Sequence, residues 1–183
     1  ARMQSLIRNL LNYSRIDSTH DDFEVVDLNS VMKKVSEENA ERIKGEDASI
    51  VWDNLPMVHG VGFQLEQLFG NLVSNSLKYR NPKVAPKIKV TSEMVANDQM
   101  PEEFLKHAKN YFKISLTDNG IGFDNVSAKK IFEVFQRLHS KTQYSGTGIG
   151  LAICKKIVEN HHGFIHASGD KNRGSVFTIY LPV

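Results

Sequence analysis

A single cysteine, Cys154, occurs in the 183 residues, so no intramolecular disulfide can form. It sits in LAICKKIV, a helical pattern, which marks a packed thiol rather than a reactive one. A lone thiol fits a reducing compartment. The expected location is cytoplasmic, whether or not the full-length protein is anchored in a membrane. Neither sign of charge dominates: 23 Lys and Arg against 21 Asp and Glu leave +2. That argues against a nucleic-acid binder or a membrane-surface protein. No apolar run approaches the roughly 20 residues of a spanning helix, and no signal peptide is visible. There is no internal repeat and no low-complexity tract. G-K-[ST] is also missing, which excludes a P-loop.

What is present is an ordinary globular composition, 40% hydrophobic and 24% charged. The length suits one substantial core. Residues 1–18 are expected to form a helix, with Met3, Leu6, Ile7, Leu10 and Leu11 on one stripe. The chain starts mid-pattern, so it is read as a piece of something longer. A lone helix this short is marginal in water and needs a packing partner. THDD (19–22) breaks it. A short strand at Phe23–Val26 and an N-cap at Asp27 then lead into a helix through Ile43, ended near Gly45.

Short strands are expected at Ser49–Trp52 and Pro56–Val58. A second helix covers 62–79 and stops before Asn81-Pro82. Strands at Lys87–Val95 and Tyr111–Thr117 flank a polar connection over 96–109. Ile131, Phe132, Phe135 and Leu138 then recur at helical spacing. Residues 139–148 are polar, glycine-containing and expected to move. A last helix runs from Ile149 to Asn160 with Gly163 closing it. Strands at Phe164–Ala167 and Ser175–Leu181 flank a DKNRG turn. Two long helices on one sheet make an α/β two-layer fold; the strand order does not follow from the sequence.

Three motifs carry chemistry. Asn71, Asn75 and Lys78 fall at i, i+4 and i+7 in LEQLFGNLVSNSLKY, on one helix stripe. Leu65, Leu68, Phe69, Leu72, Val73 and Leu77 fill the neighbouring face. An amide oxygen can ligate a hard cation and a lysine can meet phosphate; the plain alternative is a solvated face. DNGIGF (118–123) reads either as a hairpin turn, since Asn-Gly favours one, or as a strand end where Gly120 and Gly122 let a ligand approach the backbone. Asp118 could there accept from an exocyclic amine. GTGIGL (146–151) lacks the preceding strand and the third glycine of a dinucleotide fingerprint. It is either a flexible linker or a glycine-rich loop feeding a helix N-terminus suited to phosphate. Together the three describe a magnesium-nucleotide site.

The series NLVSNSLKY, DNGIGF, IFEVFQRLH, GTGIGLAICKKIV and GSVFTIYLP resembles the conserved boxes of sensor histidine kinases of two-component systems. The stretch from Phe135 to Val158 looks most like the kinases linked to PAS and phytochrome modules. The resemblance implies a catalytic ATP-binding domain over 20–183. Its fold would be of the Bergerat type, a mixed sheet covered on one face by helices. Residues 1–19 look like the end of the second helix of the dimerisation and phosphotransfer hairpin, a partial coiled-coil-like helix plus linker.

Site roles follow from the same resemblance. Asn75 would ligate Mg2+, Asn71 and Lys78 would meet the phosphates, and Tyr79 would flank the adenine. Asp118 would take its amino group, with Gly120 and Gly122 giving access. Gly146, Thr147, Gly148, Gly150 and Leu151 would form the phosphate end of a lid. Arg137 and Lys141 would be its cations, and Phe132 and Phe135 would anchor it. Asn71, Lys78 and Arg137 are the candidate catalytic residues.

Gyrase- and chaperone-type relatives carry a glutamate base where this chain has Asn71. An amide cannot take a proton from water, so hydrolysis should be poor and transfer to an external histidine is implied. The implied partners are that histidine on an absent hairpin, a response-regulator receiver domain, and a second copy in a full-length homodimer. None of the seven histidines sits in the phosphoacceptor motif, and packing or surface roles are expected for them. His20 reads as a loop histidine. Three positions depart from the pattern: Ser76 stands for alanine, Val61 or Gly62 for an aspartate, and Val176 for a threonine near the adenine.

Overall fold

The computed structural model describes residues 23–102, 104, 107–136 and 147–183. The helix expected over 1–18, His20, and most of the polar loop expected over 139–148 lie outside them.

The chain enters through β1 (Glu24–Asp27), which pairs antiparallel with β3 (Met57–Gly60) in a two-stranded sheet. Asp27 caps α1 (Leu28–Glu38) as expected: its Oδ1 accepts the Asn29 N–H at 2.9 Å and its Oδ2 the Ser30 hydroxyl at 2.9 Å. The expected single helix to Ile43 is broken at Asn39, which leaves helical geometry at φ −102°, ψ 8°. The Asn39 side chain donates to the Val35 carbonyl at 2.8 Å and so ends α1; α2 (Ala40–Gly45) then starts separately.

The main sheet has five strands in the order β2-β4-β5-β7-β6. They are β2 (Ser49–Trp52), β4 (Lys87–Ala96), β5 (Asn110–Asp118), β6 (Phe164–Asp170) and β7 (Gly174–Pro182). β2 and β4 run parallel and the other pairs antiparallel, so the sheet is mixed. Along β5, Ile114, Leu116 and Asp118 alternate onto one buried face. That face receives α1, α3 (Gly62–Lys78) and α4 (Gly150–Asn160). The apolar stripe foreseen for α3 is fully buried, from Leu65 to Leu77. Cys154 packs in the same core, as its pattern predicts. The opposite sheet face is not bare. Tyr111, Tyr180 and Met100 form a second small cluster, and the Tyr111 hydroxyl accepts the His107 and Ala108 N–H groups.

The helical spacing of Ile131, Phe132 and Phe135 misleads. The structure has two 3-10 turns there, Asn125–Ser127 and Lys130–Phe132. Phe135 takes φ +66° and is exposed. Residue 163 does not take the left-handed position after α4; His162 does, at φ +55°. The His162 N–H donates to the Glu159 carbonyl and the Gly163 N–H to the Val158 carbonyl, a Schellman closure. Gly163 is needed for proximity instead, since a Cβ there would lie 2.3 Å from the Tyr180 carbonyl oxygen.

His161 ties α4 to the start of α3. It is buried, its Nδ1 lies 2.7 Å from the Ile157 carbonyl, and its Nε2 accepts the Val61 N–H at 2.9 Å. A carbonyl only accepts, so Nδ1 carries the proton and Nε2 must be bare. The ring is therefore neutral, and Val61 at the head of α3 has its N–H satisfied although α3 lacks a side-chain cap.

Burial pushes the His161 pKa below its ordinary 6.5, with the adjacent His162 acting the same way and the Ile157 hydrogen bond opposing. A depressed folded pKa contributes stability above pH 6.5 that is lost as pH falls through the folded value. Thermal melts should therefore show Tm falling below pH 6.5. His161→Ala should cost about 2–4 kcal/mol at pH 7.5 and flatten that acid limb.

Candidate nucleotide site

The last buried residue of β5 is a carboxylic acid. Asp118 is 8% exposed, and its Oδ1 accepts the Gly120 N–H at 2.9 Å and the Ser175 N–H at 3.2 Å. Its Oδ2 accepts the Ser76 hydroxyl at 3.1 Å. Burial raises the Asp118 pKa, while the hydrogen bonds from Gly120, Ser76 and Ser175 oppose the rise by favouring the charged form.

The hairpin reading of DNGIGF fails. Asn119 turns back to β4, accepting the Lys87 N–H at 2.7 Å and donating to the Ala85 carbonyl at 2.9 Å. The Ile121 N–H then donates to the Tyr79 carbonyl at the end of α3. A Cβ at Gly120 would meet that same carbonyl oxygen at 2.5 Å. Gly122 takes φ +60°, and a Cβ there would lie 2.0 Å from the Asp170 carbonyl oxygen. Both glycines are required for close approach to protein backbone, and this packing holds Asp118 against α3.

Two adjoining chambers open between α3, α4 and the end of β5. The first holds about 80 Å3 and is mostly apolar, with Phe123, Ile131, Leu151 and Phe177 around the single carboxylate of Asp118. Ser76 and Ser175 line it too. The second holds about 200 Å3 and is polar, lined by Gln67, Asn71, Thr147, Gly148 and Gly150 among others. Asn75, Tyr79, Ile131, Gln136 and Leu151 border both. Asn71 and Asn75 of the helix stripe thus face the cavity. The Asn71 amide also reaches across to the Gly150 carbonyl at 3.4 Å, joining α3 to the head of α4.

Other expected site residues are placed differently. The Lys78 ammonium donates to the Tyr79 hydroxyl at 2.9 Å and borders neither chamber. Phe132 is buried, facing a groove with Lys155 and Glu159 on the far side of α4, and its neighbour Ile131 lines the chambers instead. Along β7 the residues at 175 and 177 face the chamber, so Val176 does not stand beside it. Arg137, Lys141 and Gly146 lie outside the described residues. Gly148 takes φ +75°, and the Phe135 N–H donates to its carbonyl at 3.0 Å.

Sequence reasoning missed Gln67, Ser76, Phe123, Ile131, Gln136, Ile153, Ser175 and Phe177 as chamber residues. The alternation of β7 onto the Asp118 face could have found the last two. Nothing local distinguishes Ile131 from Phe132.

A two-layer sandwich with this cavity above the end of β5 defines a class of nucleotide-binding fold, and the comparisons with known proteins agree. The sequence model described as histidine kinase-, DNA gyrase B-, and HSP90-like ATPase matches residues 60–183. The chain belongs to that family. It is 38% identical over 181 residues to cyanobacterial phytochrome A of Nostoc sp., covering 99% of this chain and 22% of the phytochrome. The chain therefore spans about a fifth of that relative's length. The catalytic domain of the histidine kinase ThkA superposes with a TM-score of 0.67 at 26% identity, covering 87% of this chain and 95% of that one. Full-length ShkA in complex with AMPPNP gives a TM-score of 0.77 at 21% identity, covering 99% of this chain and 36% of that one, a likeness of fold.

Two outcomes test this geometry. Gly122→Ala should destabilise the protein by about 2–4 kcal/mol in urea unfolding, since it combines a strained φ with a backbone collision. Burial pushes the Cys154 thiol up to about 12. Thiol reagents at pH 8 should leave it unmodified in the native protein and label it fully in urea.

Proposed function

We propose that residues 20–183 form the ATP-binding catalytic domain of a sensor histidine kinase. The γ-phosphoryl group would pass to a histidine outside this chain, for relay to the aspartate of a response-regulator receiver domain. Residues 1–19 are assigned to the end of the second helix of the dimerisation hairpin. The observation that carries the reading is the pairing of chambers: an apolar one with a buried carboxylate opens directly onto a polar one lined by the amides of Asn71 and Asn75 together with those of Gln67 and Gln136. A purine suits the first, since its rings are apolar-faced and its edge carries the amine that Asp118 can accept. Phosphates suit the second, beside the uncapped head of α4 and the glycines at 148 and 150.

The donor set also fits magnesium. Among the described residues no cluster of three or more acidic, histidine or cysteine side chains could cage a metal. A hard ion would be held by the Asn75 amide oxygen together with phosphate oxygens and waters, which is how magnesium commonly sits in phosphoryl-transfer sites. Such an ion supplies neutralisation of phosphate charge. Asn71 orients rather than deprotonates: its amide has no basicity to activate water, and one amide hydrogen already engages Gly150. Loss of the phosphoryl group to water is therefore slow, and an external imidazole is the acceptor. Lys78 would reach phosphate by leaving Tyr79, and Arg137 and Lys141 would supply further cations. Tyr79, between the chambers, would flank the base and Leu151 would pack on it, while Gly120 and Gly122 hold Asp118 in place.

The full-length protein would act as a homodimer on the cytoplasmic side. Among the described residues no helix is long and apolar enough to cross a membrane.

A non-hydrolysable ATP analogue should bind saturably, more tightly with Mg2+ than without. Asp118→Ala should weaken it roughly 10–100-fold, as expected for a hydrogen bond to a charged group. Asn75→Asp should change affinity far more than Cys154→Ala; equal, small effects of both would remove Asn75 from the site. The chain alone should show no phosphohistidine with labelled ATP, and an added phosphoacceptor hairpin should become labelled.

A further inference from the structure

Ser76 lies on α3 one residue beyond Asn75 and is 3% exposed. Its hydroxyl donates to Asp118 Oδ2 at 3.1 Å, and both residues line the apolar chamber. A carboxylate offers about four acceptor positions, two on each oxygen. Two backbone N–H groups, from Gly120 and Ser175, take those of Oδ1. The Ser76 hydrogen takes one of Oδ2, leaving one for a ligand. A hydroxyl whose hydrogen is committed in this way has only lone pairs left to offer.

We propose that Ser76 reads the nucleobase together with Asp118, the two oxygens forming an acceptor-only pair that selects a 6-aminopurine over a 6-oxopurine. The inference rests on the nucleotide reading of the chamber. An exocyclic amine brings two hydrogens to two acceptors. A 6-carbonyl puts a third acceptor where the amine put two hydrogens, and the N1–H that accompanies it is a single donor one ring position away, so at least one oxygen of the pair goes unanswered; an unpaired buried polar group is where discrimination between isosteric ligands arises. The carboxylate does not need Ser76 to hold its orientation, because Oδ1 is fixed by backbone from two other elements. Replacing Ser76 thus removes one reading group and leaves the other in position.

The test is direct binding of ADP and of inosine diphosphate, each with Mg2+, to the wild-type chain, Ser76→Ala and Ser76→Cys. The wild type should favour ADP. Ser76→Ala should lower the ADP-to-inosine preference about fivefold, mostly by weakening ADP. Ser76→Cys keeps the size without a good acceptor and should behave as alanine does, which secures the result if one variant folds poorly. Ser76→Thr returns the hydroxyl and should restore the preference. A preference unchanged in both Ala and Cys variants overturns the proposal while the nucleotide site stands. A wild-type chain that binds neither nucleotide overturns the site reading and the proposal with it.

Discussion

An ionised carboxylate taken out of water is costly unless hydrogen bonds replace its hydration. Asp118 meets that condition with three donors from three different places: the loop after β5, the start of β7 and the helix α3. The two backbone donors fix Oδ1, and the Ser76 hydroxyl meets Oδ2 where α3 is seated on the sheet. The turn of Gly120 and Gly122 against Tyr79 and Asp170, the antiparallel pairing of Asp118 with Ser175, and the seating of α3 on the sheet are thus one linked arrangement. The site is built around a group whose burial would be unfavourable in any other setting, and perturbed carboxylates of this kind concentrate where ligands bind.

From that anchor the rest of the chemistry follows along α3. Ser76 and Tyr79 sit at the carboxylate end, and Asn75 and then Asn71 lead one turn at a time toward the head of α4. A single rigid helix so spans both chambers, and its own start is held by His161 from the far end of α4. α4 is tied to α3 at both of its own ends, by His161 to Val61 at the head of α3 and by Gly150 to Asn71 midway along it. Side chains on a packed helix hold their spacing better than loop residues, which suits a site that works by positioning and charge rather than by a general base.

Much of this was legible in the sequence because its signals are local. The 3.6-residue period of α3, the Asp27 cap and the alternation of β4 and β5 each state their element within a few residues. The two-layer fold followed from their order, and the family resemblance rested on motifs that the structure brings around one cavity. What was not legible depends on distant partners. Asn39 breaks a helix that its apolar period would continue. Phe135, Ile131 and Phe132 fall at helical spacing, yet the chain makes only a short 3-10 turn there, with Ile131 at the chambers and Phe132 on the far side of α4. His161 reads as an unremarkable histidine until Val61 is placed against it, one hundred residues away. Ser76 departs from the family pattern, which by itself reads as a weakened site; the structure shows it bonded to the buried carboxylate. Val176, by contrast, is turned away from the chamber by the alternation of β7.

The most direct measurement is a crystal structure of the chain with AMPPNP and Mg2+. The account predicts the base in the chamber of Phe123, Ile131 and Phe177, its exocyclic amine on Asp118 Oδ2, and the phosphates beside Asn71, Asn75 and the head of α4. A base bound elsewhere, or phosphates directed away from the two amides, would contradict it.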